Sequence, residues 1–472
     1  MIDFRRHGYA LVDWIAEYLD HPEKYPVLAR VAPGDVVRAL PDRAPEEGEP
    51  FEAMIADFER VLLPAVTHWN HPGYFAYFAI TASAPGVLAE FLSAALNQQA
   101  MLWRTSPAAT ELEEVTLGWL RELMGLPPEF AGVIYDTASI STFHALAAAR
   151  EAHVPGVREF GLAGRPEVGR LRVYCSEHTH SSIDKAVIAL GLGHQALRKI
   201  PADAEYRMRA DLLAQAIAED RAAGIQPIAV VATVGTTSST SVDPVPAIAD
   251  IAAREGLWLH VDAAYAGVAA IVPEHRHVLD GAARADSFVV NPHKWLFTPF
   301  DLSAFYCRRM DLVKQAFSLL PEYLKTTDPA SARNLMDTGL QLGRRFRALK
   351  LWMVLRHFGR AGIVHHLSEH MRLARLFAAW VDADPDFERL APVPFSVVCF
   401  RLRPAGRVWT EAELEALNQR AMDQVNAGGE IFLSHTKLDG RFTLRLAVGH
   451  LKTEERHVRR AYELLKEGAG SL

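Results

Sequence analysis

The chain opens with apolar residues at helical spacing. Phe4, Leu11, Val12, Ile15 and Leu19 fall on one side, with Arg5, Arg6, Asp13 and Glu17 on the other. That spacing predicts an amphipathic helix whose apolar face needs a partner surface. A proline- and acid-rich stretch, LPDRAPEEGEP (40–50), separates it from a second predicted helix around Phe51 to Leu63. From about Pro85 to Arg347, helical segments such as ATELEEVTLGWLRELMG alternate with short apolar runs, LRVYC, IAVVATV, LWLHVDA and DSFVV. Such alternation predicts an α/β architecture with a mostly parallel sheet covered by helices on both faces. In one connection Asp243 reads as a helix cap, Pro244 as first-turn residue and Gly256 as the stop before LWLHVDA. Beyond a long helix near FRALKLWMVLRHFG come two helices, a strand pair (FSVVCFRL and RFTLRLAV) and a closing helix, ERHVRRAYELLKEG. The expected division is an N-terminal helical segment (1–83), a large α/β domain (84–355) and a small C-terminal α+β domain (356–472).

Composition narrows the function without naming it. Half of the 472 residues are apolar and 23% are charged, which is enough to build a sizeable core. A formal charge of −7 provides no general attraction for nucleic acid or an anionic membrane, and no apolar run reaches membrane-spanning length, so a small molecule is the expected partner. Cys175, Cys307 and Cys399 stand far apart, in no disulfide or metal-ligand spacing. The opening residues lack the basic-then-apolar order of a secretory leader; a reducing cytoplasm is the expected location.

Candidate chemistry gathers at the ends of the predicted strands, where open α/β sheets bind their ligands. NPHKW (291–295) follows DSFVV and places Lys294 at such an end. A desolvated lysine there has a lowered pKa, and its neutral amine can attack an aldehyde to form a Schiff base. Taken alone it is an ordinary loop lysine. Asp262 ends the strand in HVDAAYAG; taken alone it is a turn former. Beside a Schiff-base lysine, its carboxylate would suit the pyridine nitrogen of pyridoxal phosphate (PLP), and Ala264 would leave room beneath a flat ring. DTASISTFHALAAAR (136–150) starts a helix whose first N–H groups, at Ala138 and Ser139, suit a phosphate, although Asp136 would have to point away or be neutralised. In EHTHSS, His180 suits stacking on the ring and contact with a carboxylate, while GTTSSTSVD sets Thr237 at another strand end, where an ordinary polar turn is the alternative.

Taken together, these blocks resemble the group II PLP-dependent amino-acid decarboxylases, most of all the aromatic-L-amino-acid decarboxylases. THWNHPGYFAYF, SPAATELE, HVDAAYAG, NPHKW and LGRRFRALK occur in family order, and the likeness runs from Phe4 to the last helix. The resemblance implies a PLP fold-type I enzyme, aspartate-aminotransferase-like, acting as a homodimer with the N-terminal segment swapped over its partner. It implies catalytic roles for Lys294 and His180, with Lys294 holding PLP, Asp262 at its ring nitrogen and His180 on its face. Ala138, Ser139, Asn291 and His293 would surround the phosphate; Thr237 and Ala264 complete the pocket.

The expected reaction converts an L-amino acid, aromatic by resemblance, to its amine and carbon dioxide. Trp69, Tyr77, Phe78 and Met101 are the expected substrate contacts; plain hydrophobic core is the alternative for the aromatic cluster. Gln99 and Met101 stand where family members tend to carry larger apolar residues, and Ile80 reads as a one-residue insertion. In DPASARNLMDTGLQLGRR, alignment on LGRR puts Leu335 where the family's decarboxylases carry a mobile-loop tyrosine that helps protonate Cα, and leucine has no proton to give. That departure supports the alternative of an aromatic aldehyde synthase, in which oxygen captures the carbanion. A desulfurase would need a cysteine on a mobile loop near these motifs, and none of the three sits there.

Overall fold

The computed structural model describes residues 2–319 and 332–470. The apolar runs become strands of one seven-stranded sheet: β1 (Ala131–Tyr135), β2 (Arg170–Ser176), β3 (Leu197–Ile200), β4 (Ile225–Thr233), β5 (Trp258–Asp262), β6 (Ser287–Val290) and β7 (Ser303–Cys307). Their order is β1-β7-β6-β5-β4-β2-β3. The pairs β2/β3, β2/β4, β4/β5 and β5/β6 are parallel, and only β7 runs against its two neighbours. Strands buried on both faces need no alternation, so they appear in the sequence as continuous apolar runs.

Parallel pairing brings the carboxyl ends of β2, β4, β5 and β6 to one edge of the sheet, and β1, antiparallel to β7, ends there too. Thr233 pairs with Asp262, and Asp262 with Val289. The core between sheet and helices contains Val133, Val173, Cys175, Ile228, Val231 and Phe305, packed against Ala145, Ala147, Ala148 and Ala149 of the helix Ala138–His153. Alanines let that helix approach the sheet closely, which keeps its first turn near the edge where β1 ends.

The closing part of the chain holds a second sheet of four strands, β8 (Phe387–Arg389), β9 (Val397–Leu402), β10 (Ser434–Leu438) and β11 (Arg441–Ala447), in the order β10-β11-β9-β8. Two more strands form than the apolar pattern predicts: β8 is three residues long, and β10 is SHTKL, polar at four of five positions. The β10/β11 hairpin turns on Asp439 and Gly440, both at positive φ, as a two-residue turn requires. The long helix is Ala348–Ala383, interrupted by a non-helical Gly359. Contacts divide the chain into two units: residues 1–79, 373–390 and 398–472, and residues 80–372 and 391–397.

Asp243 departs from its expected role. The helix Val245–Glu255 starts without a side-chain cap and ends at Gly256 in the left-handed region, while the Asp243 carboxylate turns inward to accept the N–H groups of Met208 at 2.7 Å and Thr233 at 2.8 Å. Two tertiary hydrogen bonds outcompete one local cap, and burial pushes its pKa up to about 6. No helix among the described residues is long and apolar enough to cross a membrane.

Candidate active site

Lys294 lies in the single turn Pro292–Trp295 directly after β6, with its N–H bonded to the carbonyl of Asn291 at 2.9 Å. Part of its surface stays open, but enough atoms crowd the amine that desolvation lowers its pKa, with Asp262 opposing the shift. Asp262 is 5% exposed, and its Oδ1 accepts the N–H of Ala264 at 3.0 Å, leaving Oδ2 for another donor. The two loops are joined directly: Asn291 donates to the carbonyl of Ala264 at 2.9 Å, and Ala263 to that of Val289 at 3.0 Å.

His180 stands beyond β2, and its Nδ1 accepts the N–H of Ser182 at 3.1 Å. That bond leaves the proton of the neutral ring on Nε2. The ring is exposed on one side, yet desolvation and the Lys294 ammonium hold its pKa below the usual histidine value while Asp262 pulls it up. Lys294, Asp262 and His180 therefore lie within electrostatic reach of one another, on three strand ends.

Beyond β1, the N–H groups of Ala138 and Ser139 precede the first intrahelical donors, Ile140 and Ser141, which bond to Thr137. The Asp136 carboxylate is taken up by Thr137, N–H at 2.5 Å and hydroxyl at 3.1 Å, and by Gln341 at 3.3 Å. Asn291 is buried, and its Oδ1 has no protein partner among the described residues. His293 is buried and neutral, its pKa pushed down to about 3 by burial, with Nδ1 accepting the N–H of Leu302 at 2.8 Å; only Nε2–H remains to be offered. Ala264 is buried. Thr237 is exposed, whereas its neighbour Thr236 is buried and bonded to Ser239 and to the N–H of Ser241. This set of a desolvated amine, a carboxylate, free helix-start N–H groups and a spare buried amide fits an aldehyde-bearing pyridine with a phosphate arm.

Met101 is half-buried against Leu102 and Met336. Leu335 is 3% exposed and packed into the core with Val133 and Tyr135; the start of its segment, 328–331, lies outside the described residues. Trp69, Tyr77 and Phe78 belong to the other unit. There Tyr74, Phe75 and Phe78 are buried, while Trp69 is 37% and Tyr77 55% exposed. The aromatic cluster thus divides into core residues and a presented pair, 6.1 Å between ring centres.

Three features were not singled out from the sequence. Arg445, buried on β11, lies over the Phe78 ring at 5.3 Å and bonds to Ser434 Oγ, which also accepts the Tyr77 N–H. An arginine inside the apolar run FTLRLAV was the available signal. Arg344 of LGRR is buried and donates to Glu113 at 2.7 Å and to the carbonyl of Ile134 at 2.8 Å, binding the helix Pro107–Met124 to β1. Trp295, beside Lys294, stacks on Tyr265.

The model of the pyridoxal-dependent decarboxylase conserved domain matches residues 33–403. The chain belongs to the pyridoxal-dependent decarboxylase family. Its cofactor is therefore pyridoxal phosphate. Over 99% of its length this decarboxylase is 41% identical to phenylacetaldehyde synthase of Arabidopsis thaliana, covering 96% of that protein. It is 40% identical to tryptophan decarboxylase TDC1 of Camptotheca acuminata, over 100% of this chain and 94% of the other. The crystal structure of Oryza sativa TDC with PLP and tryptamine superposes with a TM-score of 0.95 at 39% identity, over 99% of this chain and 98% of that one. These coverages extend the family assignment, and the fold-type I architecture, across both units.

Proposed function

We propose that this decarboxylase removes the α-carboxylate of an aromatic L-amino acid, with PLP carried on Lys294. The observation that carries the reading is the placement of Lys294, Asp262 and His180 at or just beyond the ends of β6, β5 and β2 on one edge of the sheet, supported by relatives that bear the names of tryptophan decarboxylase and phenylacetaldehyde synthase. When bound, PLP supplies a sink for the electron pair left at Cα when carbon dioxide departs. Lys294 contributes an amine whose pKa desolvation lowers, able in its neutral form to attack a carbonyl and later to move a proton. Asp262 would hold a negative charge against the ring nitrogen and keep its proton there. His180 would face the ring and offer Nε2–H to the substrate carboxylate, turning the scissile bond out of the ring plane. The N–H groups of Ala138 and Ser139, with Asn291 and His293, would take the phosphate, and Thr237 and Ala264 would border the ring. Trp69, Tyr77, Phe78 and Met101 would select the side chain. Incubating the purified protein with PLP and aromatic, acidic and basic amino acids, and measuring carbon dioxide, amine, aldehyde and peroxide, tests the proposal. Turnover confined to non-aromatic substrates would overturn it.

A second reading, aromatic aldehyde synthase, is favoured by Leu335, which has no proton to return to Cα; in that case aldehyde and peroxide dominate the same assay in air.

The assembly we propose is a homodimer with swapped N-terminal segments. The helix Phe4–Asp20 buries none of its residues, and Phe4 and Tyr9 are each 66% exposed. The helix Ala84–Leu96 exposes Leu88, Phe91, Leu92 and Leu96 along one stripe, and apolar surface of this kind marks an interface. An active monomer in light scattering contradicts this. Three free, buried cysteines fit a reducing cytoplasm.

A further inference from the structure

Lys294 and Ala264 are each followed by an aromatic residue, and the two rings meet. Trp295 and Tyr265 stack with centroids 4.9 Å apart and planes 9° from parallel, both buried. Each ring is also held at its polar end. The Trp295 indole donates to Nδ1 of the buried His370 at 3.0 Å, and the Tyr265 hydroxyl is bonded to Ser396 Oγ at 2.5 Å. An indole N–H can only donate, so His370 must keep Nδ1 unprotonated to receive it. Phe395 also packs on Trp295, edge-on at 6.2 Å. The stack therefore clamps the loop after β5 to the turn after β6, in parallel with the Asn291-to-Ala264 backbone bond.

We propose that the Tyr265–Trp295 stack, pinned by His370 and Ser396, is the positioning element that sets the Lys294 amine against Asp262. The proposal rests on Lys294 being the PLP lysine. The residues on either side of the stack are those whose spacing matters: Ala264 with Asp262 two positions before it, and Lys294 itself. A one-turn helix has too few internal hydrogen bonds to fix a lysine by itself. The rigid ring pair supplies what the turn lacks, in the manner of the supporting contacts that orient reactive side chains elsewhere.

The test compares His370→Leu, which removes the acceptor, with His370→Asn, which keeps an acceptor near the Nδ1 position, and with the double variant Trp295→Phe/His370→Leu, which removes donor and acceptor together. Two quantities are read on holoenzyme: the PLP dissociation constant and the pH midpoint of the visible absorption band of the lysine-bound cofactor. His370→Leu is expected to weaken PLP binding about tenfold, because the unpinned ring no longer holds the Lys294 turn in its set position. It should also raise the pH midpoint by about half a unit, because a loosened turn hydrates the charged form. His370→Asn should stay within about threefold of the native constant, whereas the double variant, which lacks the pin altogether, should bind PLP about as weakly as His370→Leu. A merely structural role would lower the melting temperature of apo and holo protein alike while leaving constant and midpoint in place; that result, or no rescue by His370→Asn, overturns the proposal. If His370→Leu does not fold, Trp295→Phe alone carries the test, and an unshifted midpoint there overturns it. Borohydride trapping on native protein is read separately: label away from Lys294 removes the underlying reading, whereas label on Lys294 with unshifted variants removes the clamp alone.

Discussion

Replacing Asp262 by asparagine removes one negative charge and little else. Oδ1 already accepts the Ala264 N–H, a bond the amide oxygen keeps, and the two side chains are nearly equal in size, so the stability change is expected to stay within about 1 kcal/mol. Three neighbours register that charge. Burial drives the pKa values of Lys294, His180 and His260 down, and Asp262 opposes the shift in all three. As a general scale, two unit charges about 6–8 Å apart at an effective dielectric of about 20 interact by about 2–3 kcal/mol, or about 1.5–2 pKa units. Asp262→Asn should therefore lower the pH midpoint of the lysine-bound cofactor's absorption by about a unit or more. Loss of the charge that would face the ring nitrogen should cost about 10²- to 10³-fold in kcat, the scale of deleting one preorganised electrostatic partner, with a smaller effect on KM. The assay pairs a spectrophotometric pH titration with carbon dioxide release. A native midpoint together with a kcat within tenfold of native would refute the assignment of Asp262.

Arg344→Met leaves the Glu113 carboxylate buried without its charge partner and should destabilise the protein by about 3–5 kcal/mol in urea denaturation; an unfolding free energy changed by less than about 0.5 kcal/mol contradicts this. Acid should destabilise the fold early. Burial depresses His71 and His260 to about 4 and His144 and His293 to about 3, so as pH falls from about 6.5 towards 4 the unfolded chain takes up protons first and stability is lost, at up to about 1.4 kcal/mol per pH unit per histidine. Asp243, raised to about 6, acts in the opposite sense over about pH 6 to 4 and offsets about one of the four; a melting temperature flat from pH 7.5 to 5 contradicts the reasoning. Leu335→Tyr must place a larger, polar side chain in the core beside Val133 and Tyr135, at a cost of about 1–3 kcal/mol, and should raise the amine-to-aldehyde ratio in aerated buffer; an unchanged ratio removes Leu335 from the protonation step.

The large sheet was legible because its strands are buried on both faces and bounded by turn residues: LRVYC, IAVVATV, LWLHVDA and DSFVV all fall within or across β2, β4, β5 and β6. β3, LRKI, and β10, SHTKL, were not, since both are short and at least half polar and owe their extension to a neighbouring strand. Asp243 shows the same limit at one residue: a capping sequence states what is locally available, whereas the partners it finds, Met208 and Thr233, lie 35 and 10 residues away. In the candidate site, Lys294 and Asp262 could be read from position at strand ends, because parallel pairing brings those ends together. Trp295, Tyr265 and His370 could not, because aromatic residues beside a motif look like core until their stacking and polar ends are seen. For the same reason the sequence did not separate Trp69 and Tyr77, which present surface, from Tyr74 and Phe75, which fill the interior.

Borohydride reduction of the PLP-loaded protein followed by peptide mass spectrometry tests the assignment of the cofactor lysine most directly. The expected result is a single pyridoxyl label on the peptide carrying NPHKW, at Lys294, with no carbon dioxide release from Lys294→Ala. Label on any other lysine, or turnover by Lys294→Ala at the native rate, would contradict it.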